Sequence, residues 1–154
     1  MPPLTHRWLR FGDFTTAELY AVLELRQRVF VIEQASLFAD IDGRDREADH
    51  LLACGEDGAL HGYLRVFAPG IVGKAASLGR VVVGEAARGS GLGRALVAEG
   101  LAFLALRHPG ADVAISAQKH LQRFYGALGF ETVSQPYDDA GIPHVDMVLR
   151  RGAA

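Results

Sequence analysis

The sequence predicts a mixed α+β domain, a twisted sheet with both parallel and antiparallel neighbours and helices packed against it. Three observations carry that reading. Strand-length apolar runs alternate with longer helical patterns in the order β-α-β-β-β-α-β-α-β-β. Two strands are joined by Glu56-Asp57-Gly58, whose Asp-Gly pair favours a hairpin and an antiparallel pairing, whereas the strand–helix–strand passages need parallel neighbours. The chain has 154 residues, 49% hydrophobic and 22% charged, an ordinary globular composition with enough length for one core and too little for two catalytic domains. Residues 1–154 are therefore read as one domain, without repeats or a linker.

The elements follow in order. Trp8-Leu9-Arg10-Phe11 is a short aromatic strand ahead of the Gly12-Asp13 break. Thr15 or Thr16 is placed to cap a helix over 17–29, where Leu19, Val22, Leu23, Arg26 and Phe30 recur at spacings of three and four. Residues 34–50 are the most polar stretch, with Asp40, Asp42, Asp45 and Asp49 around Gly43, and read as a surface loop. Residues 50–55 and 60–67 form the hairpin, and 76–83, ending in Val81-Val82-Val83, is a central strand. Residues 91–107 are apolar nearly all round and stop at His108-Pro109-Gly110, which predicts a deeply buried helix. A strand over 112–116, a helix over 120–128 closed by Gly129, a strand over 130–134, a loop with Pro136, Gly141 and Pro143, and a last strand over 144–149 complete the chain.

Sixteen basic side chains against eighteen acidic ones give a net charge of -2, which offers no electrostatic footprint for nucleic acid or an anionic membrane. No run of about eighteen apolar residues is present to span a bilayer. Cys54 is the single cysteine, and the opening Met1-Pro2-Pro3-Leu4-Thr5-His6-Arg7 lacks the layout of a signal peptide, so a cytoplasmic location is expected. Cys54 reads as a core residue rather than a nucleophile. His50, His61 and Cys54 are too few and too irregularly spaced for zinc, and the acidic loop fits no calcium-binding frame, so no metal is expected.

The chemistry concentrates in Arg88-Gly89-Ser90-Gly91-Leu92-Gly93-Arg94, a glycine-rich turn between a buried strand and a buried helix. Such a turn lets backbone N–H groups converge on an anion, aided by the helix dipole. A dinucleotide fingerprint fails because Arg94 or Leu96 stands where its third glycine belongs, and a nucleoside-triphosphate loop fails for want of the Lys-Ser/Thr pair. What fits is R-x-x-G-x-G, as Arg88, Gly91 and Gly93, followed by Phe124-Tyr125-Gly126-Ala127-Leu128-Gly129-Phe130. In these motifs and in element order over nearly its whole length the chain resembles the GCN5-related N-acetyltransferase (GNAT) superfamily. Val31-Ile32-Glu33-Gln34, the Asp40–Asp45 block with His50-Leu51, and Gly141-Ile142-Pro143-His144 are similar to its ElaA-type branch.

The resemblance implies a sheet splayed near Val83 and Ile115, with helices on both faces, and direct transfer of acetyl from acetyl-CoA to an amine in a ternary complex. It implies that Gly89, Ser90, Gly91, Leu92, Gly93, Arg88 and Arg94 hold the cofactor pyrophosphate, and that the main chain at Val81, Val82 and Val83 holds the pantetheine arm. Phe124 lies beside the cofactor and packs the core, and Tyr125 matches the tyrosine that approaches the thioester sulfur as general acid. An amine of the lysine kind, with a pKa of about 10.4, must lose a proton before it attacks. Glu85, His120, His144, Asp146 and a water chain all stand as candidate bases. The acceptor is an unidentified amine, and a homodimer through the first helix or last strands is carried as an expectation. The rival reading is an inactive acyl-CoA-binding sensor or interaction domain.

Overall fold

The first helix begins where two side chains answer each other. The Thr15 hydroxyl accepts from the Glu18 N–H at 3.1 Å while the Glu18 carboxylate accepts from the Thr15 N–H at 2.9 Å, which satisfies two donors that would otherwise be orphaned. This helix, α1 (Thr16–Arg26), does not stop at Val29 but widens into a π-helical segment, Gln27–Glu33. The buried helix α2 (Leu92–Arg107) runs from Gly91 to the predicted stop, where the His108 N–H still reaches the Leu104 carbonyl at 2.8 Å. The third helix is shorter than predicted: Lys119–Leu121 is a 3-10 turn, and α3 is confined to Gln122–Gly126.

The computed structural model describes residues 2–152. Met1, part of the opening judged for a targeting signal, and Ala153 and Ala154, the end of the predicted domain, lie outside the described residues. Eight strands form one sheet: β1 (Thr5–Arg10), β2 (Asp49–Cys54), β3 (Leu60–Phe67), β4 (Ala76–Val83), β5 (Val113–Gln118), β6 (Glu131–Thr132), β7 (Tyr137–Asp139) and β8 (Ile142–Leu149). Their order across the sheet is β1-β2-β3-β4-β5-β8-β6, with β7 also on β8. Three strand expectations are corrected. Phe11 leaves β1 for a 3-10 turn, the strand over 130–134 shrinks to Glu131–Thr132, and the predicted loop before β8 contains β7. A turn at Ala140-Gly141, both at positive φ, folds β7 back onto β8 and hides it from a reading based on Pro136 and Pro143 as breakers.

Among the described residues only β4 and β5 run parallel, and they pair over just Ala76–Val113 and Ser77–Ala114 before parting. The gap therefore opens at Leu78 on β4, earlier than the expected Val83. A bulge helps to open it: Tyr63 pairs with Val82 and Arg65 with Gly79, which leaves Arg80 and Val81 opposite Leu64. Arg80 takes φ 53°, a left-handed conformation that a side chain adopts at a cost.

Strand alternation builds a core on each face. Leu51, Leu64, Leu78 and Met147 meet Leu96 and Leu104 of α2, while Leu52, Tyr63 and Val82 meet Val22 and Leu25 of α1. Trp8 of β1 stacks on Phe103 of α2, ring centres 3.9 Å apart. Among the described residues no helix is long and apolar enough to cross a membrane.

The segment between α1 and β2 is not the solvated loop that its charge suggests. Asp40 and Asp45 are buried, and so are Arg26 and Arg65. The Arg26 guanidinium donates to Asp40 Oδ2 at 3.0 Å, the Asp40 carbonyl at 2.8 Å and Asp45 Oδ1 at 2.8 Å. Arg65 donates to Asp45 Oδ1 at 2.8 Å and grips both oxygens of Asp42. Arg80 Nε lies 2.9 Å from Asp40 Oδ1 but off the line of a hydrogen bond, so that contact is coulombic. His50 donates from Nε2 to the Asp45 carbonyl and accepts at Nδ1 from the Tyr63 hydroxyl, 2.6 Å away; burial lowers its pKa and keeps it neutral. Burial pulls the Asp42 and Asp45 carboxyls upward, but the arginines prevail and hold both below the ordinary range.

Removing one partner strands the others without water. Asp45→Ala should lower the unfolding free energy by about 3–5 kcal/mol, read by urea denaturation; a loss below about 1 kcal/mol would mean that solvent carries those charges instead. Because Asp42 and Asp45 titrate lower folded than unfolded, their contribution is complete above about pH 4 and drains away below it. Unfolding midpoints should therefore hold from neutral pH to about pH 4 and then fall, a decline that Asp45→Ala makes shallower.

Candidate active site

The parting of β4 and β5 leaves a cleft of ≈ 140 Å³ through the sheet. Its walls come from both faces: Leu78 to Val81 on β4, Ile115 to Gln118 on β5, Tyr125 from α3, and Phe30, Gln34 and Ser36 from the α1 side. Two hydrogen bonds fix the α1-side wall to the far half of the sheet. Gln118 Nε2 donates to Gln34 Oε1 at 3.1 Å, and the Ser36 hydroxyl donates to the Ala140 carbonyl at 2.8 Å. Arg80 stacks over Phe38, another wall residue, at 5.4 Å.

Tyr125 is buried at 7% exposure, edge-on to both Phe124 and Phe130. Its side chain lines the cleft, and among the described residues its hydroxyl has no hydrogen-bond partner. Burial alone pushes its pKa up to about 12, so the phenol stays protonated at neutral pH. Phe124 packs partly buried against the main core.

The glycine turn lies at the start of α2, after the last strand residue of β4. Gly91 sits at φ 84°, with open space where a Cβ would stand. A Cβ at Gly93 would only touch Val83 at 3.6 Å, so neither packing nor backbone conformation demands a glycine there. The N–H groups of Leu92, Gly93 and Arg94 begin the helix and lack intrahelical acceptors. The Leu92 side chain is buried in the core, whereas the Arg94 side chain is exposed and free of ion pairs among the described residues. The Ser90 hydroxyl is turned back onto the Ala87 carbonyl. These groups suit a phosphate chain: main-chain donors at a helix N-terminus with one unpaired cation beside them.

Arg88 is occupied differently from the sequence expectation. Its fork is filled by both oxygens of Glu33, at 2.5 and 2.7 Å, and its Nε donates to the Val83 carbonyl at 3.3 Å. The hydrogen bond from Arg88 holds the Glu33 carboxyl below its ordinary range. Arg88 here ties the end of the π-helical segment to the glycine turn. Of the three valines, Val81 lines the cleft, Val82 faces the α1 core and Val83 pairs with Gly62. From Leu78 onward the β5-facing edge of β4 has no strand partner, which leaves main-chain groups open to an extended ligand.

The candidate bases separate cleanly. Glu85 is exposed in a 3-10 turn and His120 is exposed in the turn before α3, neither lining the cleft. Asp146 is exposed and accepts from the Tyr137 hydroxyl at 2.6 Å; since Tyr137 spends its proton there, the Ser116 hydroxyl, 2.5 Å away, donates to Tyr137. His144 alone of the four reaches the cleft. Cys54 stands at the end of β2 with its thiol pKa raised by burial, which suits no nucleophile. Among the described residues no group of three or more His, Cys, Asp and Glu side chains could hold a metal ion. Sequence reasoning gave no role to Gln34, although it lies in the Val31–Gln34 block, and missed Ser36, Ser116 and Gln118, polar cleft-lining side chains with no motif of their own.

The family described as acetyltransferase (GNAT) domain matches residues 16–151. A UPF0039 protein of Synechocystis is 41% identical over 143 residues, 93% of each chain. Protein ElaA of Escherichia coli is 38% identical over 141 residues, covering 90% of this chain and 92% of ElaA, and its crystal structure superposes with a TM-score of 0.87. The crystal structure of an acyl-CoA N-acyltransferase from Pseudomonas aeruginosa superposes with a TM-score of 0.89 at 39% identity, over 94% of this chain and 98% of that one.

Proposed function

The chain belongs to the acetyltransferase (GNAT) family, in its ElaA-like branch, and from that premise we propose that it transfers acetyl from acetyl-CoA directly to a primary amine. Membership supports acyl-CoA-dependent acyl transfer; the cleft as its site, acetyl as the acyl group and an amine as the acceptor are this proposal's own. The observation that carries it is the Tyr125 side chain, its hydroxyl protonated and unpartnered among the described residues, lining the gap where β4 and β5 part.

In this reading the first N–H groups of α2 and the Arg94 guanidinium hold the pyrophosphate, Gly89, Gly91 and Gly93 let it approach, and the open edge of β4 from Val81 to Val83 takes the pantetheine arm. Arg88 braces the turn through Glu33. A backbone N–H of β4 polarises the thioester carbonyl as it gains negative charge. Tyr125 donates to the departing sulfur, whose thiolate, with a pKa of about 8.5 if similar to cysteine, accepts a proton readily. The amine enters from the α1 side, past Gln34, Ser36 and Ser116. A cytoplasmic setting, suited to a chain with one cysteine, completes the proposal.

Thermal unfolding beside acetyl-CoA, free coenzyme A, ATP and NADH tests the cofactor without an acceptor. At roughly a hundred times its dissociation constant a ligand adds about 2.7 kcal/mol, so the two coenzyme A species should raise the midpoint by several degrees. ATP and NADH should leave it in place, and Gly91→Asp should abolish the shift by setting a carboxylate against the pyrophosphate. No shift with either coenzyme A species would end this reading. Tyr125→Phe should retain the acetyl-CoA shift while turnover falls on the order of a hundredfold. Unchanged turnover would remove Tyr125 from the chemistry, and a wild type that binds acetyl-CoA but acetylates nothing would be the sensor domain.

A further inference from the structure

We propose that His144 is the general base, taking the acceptor's proton at Nε2. This rests on the acyl-transfer reading and deepens it. The geometry decides between two forms of the ring. Nδ1 lies 2.7 Å from the Ile142 carbonyl oxygen, and a carbonyl only accepts, so Nδ1 carries the hydrogen. In the neutral ring Nε2 therefore holds the free lone pair, and among the described residues it has no hydrogen-bond partner. Pro143 precedes the histidine on β8, and the Tyr137 ring of β7 stacks on the imidazole with 25° between planes, so the orientation is held from two directions.

The ring stands in the half of the cleft facing α1. His144 is the cross-strand partner of Gln118 on β5, and both line the cleft, on the strand face opposite buried Ala117 and Val145. Tyr125 reaches the same gap from the α3 side. The charged and titratable groups around His144 are Tyr137, which stacks on it, Asp138 and Asp139 of the paired β7, Asp146 farther along β8, Arg80 and Tyr125, which line the same cleft, and Lys119 and His120 of the turn that packs on β8. Arg80 is tied to Asp40 and Asp42, and Tyr137 to Asp146, which leaves Nε2 as the open acceptor.

The step balances without a further reactant. An ammonium N–H bond breaks as the proton passes to Nε2, and the freed lone pair forms the C–N bond at the thioester carbonyl. The C–S bond breaks, a second proton from the nitrogen reaches the sulfur through the Tyr125 hydroxyl, and the imidazolium releases its proton to solvent. Ammonium and thioester become amide, thiol and one proton.

Two measurements on the full chain test it. Nitrogen NMR of the imidazole needs no acceptor: the neutral ring should carry hydrogen on Nδ1, and a neutral ring protonated at Nε2 would overturn the proposal. Turnover is then followed with an N-blocked lysine amide and with ethanolamine as probes. His144→Gln should keep the acetyl-CoA thermal shift, lose about a hundredfold or more in kcat, and lose the acidic limb of the pH profile that a histidine base imposes. A variant that keeps that limb, or turns over as the wild type does, would overturn it. Failure of the wild type to bind acetyl-CoA would instead overturn the acyl-transfer reading and this proposal with it, whereas a ring protonated at Nε2 in a protein that binds acetyl-CoA overturns this proposal alone.

Discussion

Three guanidinium groups and three carboxylates between α1, the sheet and one loop, four of them buried and Arg80 and Asp42 at the rim, hold the walls of the cleft in place. Arg26 comes from α1, Arg65 from β3 and Arg80 from β4, while Asp40, Asp42 and Asp45 share a single short segment. Charges in such a place are costly unless each is paired, so the loop cannot lift without leaving cations stranded. Its path is thereby specified as tightly as any apolar strand. Ser36 and Phe38, which precede the aspartates, take their places along the cleft as a consequence, and Arg80 is drawn to the bulge that leads β4 away from β5.

The order of elements was legible because it rests on local signals. Thr15 with Glu18, Asp57-Gly58 and Pro109-Gly110 each act within a few residues of themselves. The glycine turn and the Phe124-Tyr125 pair were legible for the same reason, since their spacing is contained in one segment. What escaped was long-range. The aspartates looked like solvated charge because their partners lie as many as forty positions away. A signal was present: Arg26 falls on the apolar side of α1 with Val22, and a cation there requires a buried anion. β7 escaped because three residues between turn formers show no periodicity, and they become a strand only when Ala140 and Gly141 reverse the chain against β8.

The Arg88 result shows how far a motif reaches. The motif correctly marked the turn, yet the arginine's nearest anion is Glu33, which lies outside it in sequence. An exposed pair of this kind contributes little to stability. Its value is positional: it joins the end of the π-helical segment, whose next residue Gln34 lines the cleft, to the glycine turn that begins α2.

The stacking of Trp8 on Phe103 has a practical consequence. The chain contains one tryptophan, and it sits on the edge strand, against α2 and away from the residues that line the cleft. Intrinsic fluorescence excited at the indole is therefore a local gauge of whether the N-terminal strand is docked on the helix. A change in emission records the seating of that strand, and a silent signal during ligand addition leaves events in the cleft unreported.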